Sequence, residues 1–243
     1  MSGRITLAVA GRVMRQLRRD PRTVAMMLVV PCVLITLLWW MYRHTPVFDS
    51  VGPALLAVFP FVVMFLVTSV TTLRERSSGT LERLLSMPTG KLDLLLGYAL
   101  AFGLVAAVQA AVAVGLSVGV LGLDISGPVW LLAVVAIVDA VLGTALGLFV
   151  SAFADTEFQA VQFMPALVIP QFLLCGLFVP RDLLPDTLHA ISDVLPLSWA
   201  VDAMQTLTRT SATADVWRDL AIVAAYAVAV LALGAATLRR RTP

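Results

Sequence analysis

From Thr23 to Tyr42 twenty consecutive residues carry no charge. At about 1.5 Å of rise per residue, a helix of that length crosses a hydrocarbon layer. Five more apolar runs follow, at 53–72, 94–121, 129–154, 158–179 and 217–238. Together they make the chain 60% hydrophobic and 13% charged, against roughly 45–50% and 25% for soluble domains. A soluble fold of 243 residues could not hide that much apolar surface, so lipid is the expected solvent. The expected fold is an all-α polytopic membrane protein, a single domain over residues 1–243 with six transmembrane helices and both ends on one side.

The basic residues orient this bundle. Thirteen Lys and Arg fall before the first run, in the interior loop at 74–91 and in the tail; only Arg43, Arg181, Arg209 and Arg218 fall on the opposite side. That asymmetry predicts cytoplasmic N and C termini in the cell (plasma or inner) membrane. Trp39, Trp40, Trp130, Trp199 and Trp217 fall near the outer boundary, where amphipathic rings settle. Residues 1–20 read as an interfacial helix, the alternative being a solvated basic arm that only sets topology. Arg4, Arg12, Arg15, Arg18 and Arg19 occupy one third of its circumference, towards anionic lipid, with Ile5, Val9, Val13 and Leu17 facing the membrane. Asp20-Pro21 suits an N-cap and first helical position. The net charge of +2 gives no reason to expect a nucleic-acid partner. Cys32 and Cys175 lie inside apolar runs, without metal spacing.

The stretch from Arg74 to Pro88, with Lys91 and Asp93 just beyond, is the only interior run dense in both acids and bases. Leu81, Leu84 and Leu85 share one helical face, Glu82 and Arg83 point away, and Pro88 ends the turn. This pattern predicts a short amphipathic helix at the mouth of the bundle, pushed on by another protein.

Polar groups within the apolar runs need partners. Asp139 lies near mid-bilayer in the fourth run, with no Lys or Arg at its depth; Gln109, Thr144 and Tyr226 are its candidate neutral partners. It reads either as a hydrogen-bonded packing residue or as a proton- or cation-coupling acid. Gly115/Gly119 and Gly143/Gly147 form small-residue pairs suited to close helix packing. Gln159, Gln162, Pro165, Pro170 and Gln171 interrupt the fifth run, which therefore faces a cavity or subunit seam in preference to lipid. Residues 180–215 alternate prolines with leucine pairs and are expected to form an outer re-entrant helical segment.

Catalytic motifs are missing. Gly90-Lys91-Leu92 is no phosphate-binding loop, because Leu85 replaces the first glycine and Leu92 replaces the magnesium-binding hydroxyl. His44 and His189 sit in separate outer segments. The chain is expected to be a non-enzyme, with no metal site and no cofactor of its own.

Three stretches resemble the ABC-2 type permeases, the membrane subunits of type-2 ATP-binding-cassette exporters, among them actinobacterial drug- and antibiotic-efflux permeases. They are Arg74 to Pro88, Glu157 to Pro165 with Pro170-Gln171, and Cys175 to Pro180 leading to Leu195-Pro196-Leu197-Ser198. The resemblance implies that 74–88 is a coupling helix, with Glu75, Arg76, Gly79, Thr80, Leu81, Glu82, Arg83 and Leu84 at a cleft of a separately encoded ATPase. That ATPase would bind ATP and Mg. It further implies two permease copies, a homodimer, with two ATPase subunits, and a path lined by the second and fifth spans, including Gln159, Gln162, Phe163 and Gln171. The cargo would be a hydrophobic small molecule such as a drug, antibiotic or lipid. The alternative from the residues alone is a proton-coupled secondary transporter using Asp139.

Overall fold

A computed structural model describes residues 2–45, 47–78, 90–154 and 156–237. The described chain is helical: α1 (Gly3–Arg19), α2 (Pro21–Tyr42), α3 (Val47–Ser77), α4 (Lys91–Gly119), α5 (Val129–Ser151), α6 (Glu157–Leu174), a 3-10 turn (Arg181–Leu183), α7 (Asp186–Val194), α8 (Pro196–Arg209) and α9 (Ala214–Thr237). Local chemistry sets several boundaries. The Asp20 carboxylate accepts from the Thr23 backbone N–H at 3.2 Å and the Thr23 hydroxyl at 2.6 Å, capping α2 as its position before Pro21 predicts. These bonds hold the Asp20 carboxyl below its ordinary pKa. Thr156 caps α6 through the Gln159 N–H at 3.2 Å. The turn after α4 passes through Gly122 at φ +71°, which a side chain would resist.

Among the described residues five helices are long and apolar enough to cross a membrane: α2, α3, α4, α5 and α9. The sixth expected crossing is shorter than the run 158–179. Helix α6 has 18 residues, stops at Leu174 and keeps Pro165 and Pro170 inside it; three glutamines dilute its apolar character. At about 1.5 Å per residue it still covers roughly 27 Å. Its first residue meets the end of α3 through Arg74, and its last carbonyl meets α7 through Ser192.

The core centres on α5, most of whose residues are buried. Helix α3 lies against it closely enough that a Cβ on Gly143 would come 2.4 Å from the Phe61 carbonyl oxygen, and one on Gly147 2.5 Å from that of Phe65. Glycine is required where two backbones approach this closely. The other expected pair behaves differently, since a Cβ on Gly115 or Gly119 would meet nothing within 4 Å. That correction follows from helix rotation, because Gly115 is on the exposed side of α4.

The interfacial helix needs a second correction. The apolar face of α1, Val9, Val13 and Leu17, is buried with Leu94, Leu95, Tyr98 and Ala101 of α4 and not laid into lipid. Gly97 of α4 admits Val9, whose Cβ lies 2.6 Å from where a glycine side chain would begin. Lipid-ready surface lies elsewhere. Helix α2 exposes Met26, Val29, Leu37, Trp40 and Met41.

Candidate functional site

The charged stretch has its described stems at one end of the bundle. Gly79, Thr80, Leu81, Glu82, Arg83 and Leu84, and with them the expected short helix, lie outside the described residues, as does the side chain of Arg76. The upstream stem is the last turn of α3, carrying Arg74 and Glu75; the downstream stem is the first turn of α4.

Glu75 turns inward and is 5% exposed. Its Oε2 accepts from Arg12 Nη2 of α1 at 2.8 Å and from the Tyr98 hydroxyl of α4. Arg12 Nη2 also donates to the Tyr98 oxygen at 2.7 Å, with the guanidinium 5.6 Å from the ring centroid. Burial by itself would lower the Arg12 pKa, but the hydrogen bond to Glu75 and the charge around it raise it above the ordinary guanidinium value. Asp93, also buried, accepts from the Ser2 backbone N–H at 3.0 Å. Helix α1 is therefore fastened to both stems.

Arg74 makes a two-pronged contact with Glu157, the first residue of α6, at 3.0 and 3.2 Å. The side chains are 65% and 49% exposed, so the pair contributes little to stability and acts mainly as a geometric tie. The upstream stem is thus joined to α6 as well. Displacing the loop would pull on α1 through buried contacts and on α6 through an exposed one.

The expected path residues separate along α6. Gln159 and Gln162 are exposed, and Phe163 is 37% exposed. Gln171 faces the interior, donating to the Leu167 carbonyl at 3.0 Å and accepting from the Leu197 N–H at 3.4 Å. It fastens α6 to α8. Sequence reading grouped it with the other glutamines because spacing alone does not reveal the covering helix.

Asp139 is fully buried, and neither carboxylate oxygen has a hydrogen-bond partner among the described residues. Its expected partners are engaged elsewhere. Gln109 donates to the Met27 carbonyl at 3.0 Å, Thr144 to that of Ala140 at 3.1 Å, and Tyr226 to that of Val194 at 2.9 Å.

Sequence reading missed the lock at the other end of the bundle. Arg181, 8% exposed, donates Nε to Ser192 at 2.9 Å and uses its two Nη groups for Asp193 and Asp202. Its guanidinium lies 5.0 Å from the Trp199 ring centroid, and Arg218 approaches the same ring at 5.9 Å. Ser192 donates to the Leu174 carbonyl at 2.8 Å, and the Trp199 indole to that of Asp193 at 2.9 Å. One arginine thereby joins the end of α6 to α7 and α8, forming a helical cap on that end of the bundle. Trp199 is accordingly part of the protein interior more than of an aromatic belt. Trp130 and Trp217 are 59% and 48% exposed, with rings 6.2 Å apart.

A family model described as ABC-2 type transporter matches residues 5–207. Among curated proteins, the chain is 26% identical over 171 residues to an Escherichia coli protein named "Probable multidrug ABC transporter permease YbhR", covering 70% of this chain and 46% of that one. It is 26% identical over 183 residues to the "Linearmycin resistance permease protein LnrN" of Bacillus subtilis, covering 74% and 47%. It is 24% identical over 185 residues to "ABC transporter G family member 23" of Dictyostelium discoideum, covering 75% and 26%. The match thus spans less than half the length of each of these relatives.

Proposed function

Because this chain belongs to the ABC-2 type transporter family, we propose that it is the membrane-spanning permease subunit of an ATP-driven exporter, working as a homodimer with two separate ATPase subunits. The ATPases bind ATP and Mg; this chain has leucine at 85 and at 92, where a phosphate-binding loop has its first glycine and its magnesium-binding hydroxyl. The loop residues Arg76, Gly79, Thr80, Leu81, Glu82, Arg83 and Leu84 receive the ATPase motion. Glu75 contributes from inside, by holding the stem. The exposed face of α6, with Gln159, Gln162 and Phe163, lines the path between permease copies, and the cargo is a hydrophobic small molecule. Names of relatives that refer to multidrug transport and linearmycin resistance support that class of cargo. Termini and charged loop face the cytoplasm of the cell membrane, in line with the excess of basic residues there.

The observation that carries this reading is the fastening of the loop's upstream stem to both α1 and α6. A loop only decorating the surface would need neither. The test is a charge exchange in the reconstituted permease–ATPase complex. Arg74→Glu and Glu157→Arg should each leave nucleotide hydrolysis in place while export falls, and the double exchange should restore export. Full export in both single variants would contradict the reading.

A further inference from the structure

The exposed side of α1 carries a cavity of about 250 Å³ lined by Arg12, Arg15, Gln16 and Arg19. We infer that this cavity is a binding site for a phosphate group. The cavity has a surplus of donors. The Oε2 of Glu75, which does not line the cavity, already accepts from Arg12 and Tyr98, and the one negative charge of Glu75 is paired with Arg12. The Gln16 carbonyl oxygen accepts from Arg12 Nη1 at 3.3 Å, leaving its amide N–H₂ as donor. Arg15 and Arg19 form no ion pair with a described residue; Arg15 reaches only the Gly11 carbonyl, at 3.2 Å. The Nε of Arg12 is buried with no hydrogen-bond partner among the described residues. Two guanidiniums without an ion-pair partner among the described residues, and several unused N–H groups, thus line a cavity that no carboxylate lines. Its complement is an anion with several acceptor oxygens, and forked guanidiniums match phosphate geometry.

The position says how phosphate arrives. Arg19 stands two residues before Pro21, where the apolar span α2 begins, and α2 exposes Met26 at 65% and Val29 at 54% from its second turn onward. A group in the cavity therefore sits at the depth of lipid headgroups, beside a helix wall that acyl chains can cover. An anionic phospholipid and a soluble phosphate share the chemistry, and the test separates them.

The full chain is placed in phosphatidylcholine nanodiscs doped with phosphatidylglycerol, and retained lipids are identified by native mass spectrometry. Wild type should retain phosphatidylglycerol over phosphatidylcholine. The double variant Arg15→Gln/Arg19→Gln should lose that preference by about tenfold. Arg4→Gln/Arg18→Gln, which removes equal charge from the same helix outside the cavity, should keep it. Persistence of the wild-type preference in excess inorganic phosphate assigns the site to headgroups; displacement by inorganic phosphate, absent in the Arg15/Arg19 variant, assigns it to soluble phosphate too. Equal losses in both double variants would reduce the effect to diffuse charge and overturn the proposal. So would a variant that releases an ATPase subunit while binding lipid and phosphate normally, since the cavity would then be a protein contact. Unchanged thermal unfolding of the variants excludes misfolding as the cause.

Discussion

Arg12 and Glu75, 63 positions apart, meet in a 2.8 Å ion pair that ties the first helix to the stem of the charged loop. Glu75 is buried while Arg12 keeps about a quarter of its side chain exposed. The pair is thus dry enough to matter and lies where the last turn of α3 meets α1 and α4. Glu75→Gln leaves Arg12 half-buried without its counter-ion and should cost about 2–3 kcal/mol. Arg74→Gln, in an exposed pair, should cost under about 1 kcal/mol. Thermal unfolding in one detergent checks the ordering; equal losses would mean that the buried pair is not a structural tie.

Packing of α3 on α5 yields a second expectation with an internal control. Gly143→Ala would place a methyl group 2.4 Å from the Phe61 carbonyl oxygen. Because backbone on both sides must shift, it should cost about 2 kcal/mol. Gly115→Ala meets open space and should leave unfolding unchanged or slightly delayed. The melting temperatures of the two variants decide it, and a neutral Gly143→Ala would contradict the packing.

The cap gives a pH dependence. Burial raises the Asp202 pKa from 3.8 to about 6, although Arg181 opposes the shift. Since the folded state holds this proton more tightly than the unfolded chain, the contribution to stability is present at low pH and is lost as pH rises from about 4 through about 6. Asp202→Asn should remove that component, so the difference between wild-type and variant melting curves should grow through this window. A constant difference would show that Asp202 ionises freely.

Much of the architecture was readable from periodicity and charge: the apolar runs, the basic first helix, the Asp20 cap and the polar sixth helix all come from neighbours in sequence. The contacts that fasten the site did not. Tyr98 reads as one more apolar position in a long run, and nothing local pairs it with Glu75 or Arg12. Arg181 reads as one of four outer cations, whereas its meaning comes from Asp193, Ser192 and Asp202 folding back around it. The two glycine pairs look alike in sequence, and only the rotation of each helix distinguishes Gly143 from Gly115.

The central claim is that this chain supplies a passage and a lever while a separate subunit supplies energy; the competing source of energy would be a proton bound at Asp139. Reconstituted vesicles decide between them. With the ATPase present, accumulation of a hydrophobic reporter drug should follow added ATP, and Asp139→Asn should preserve it when the protein folds. Accumulation driven by a pH gradient in vesicles holding this chain alone, and abolished by Asp139→Asn, would contradict the account.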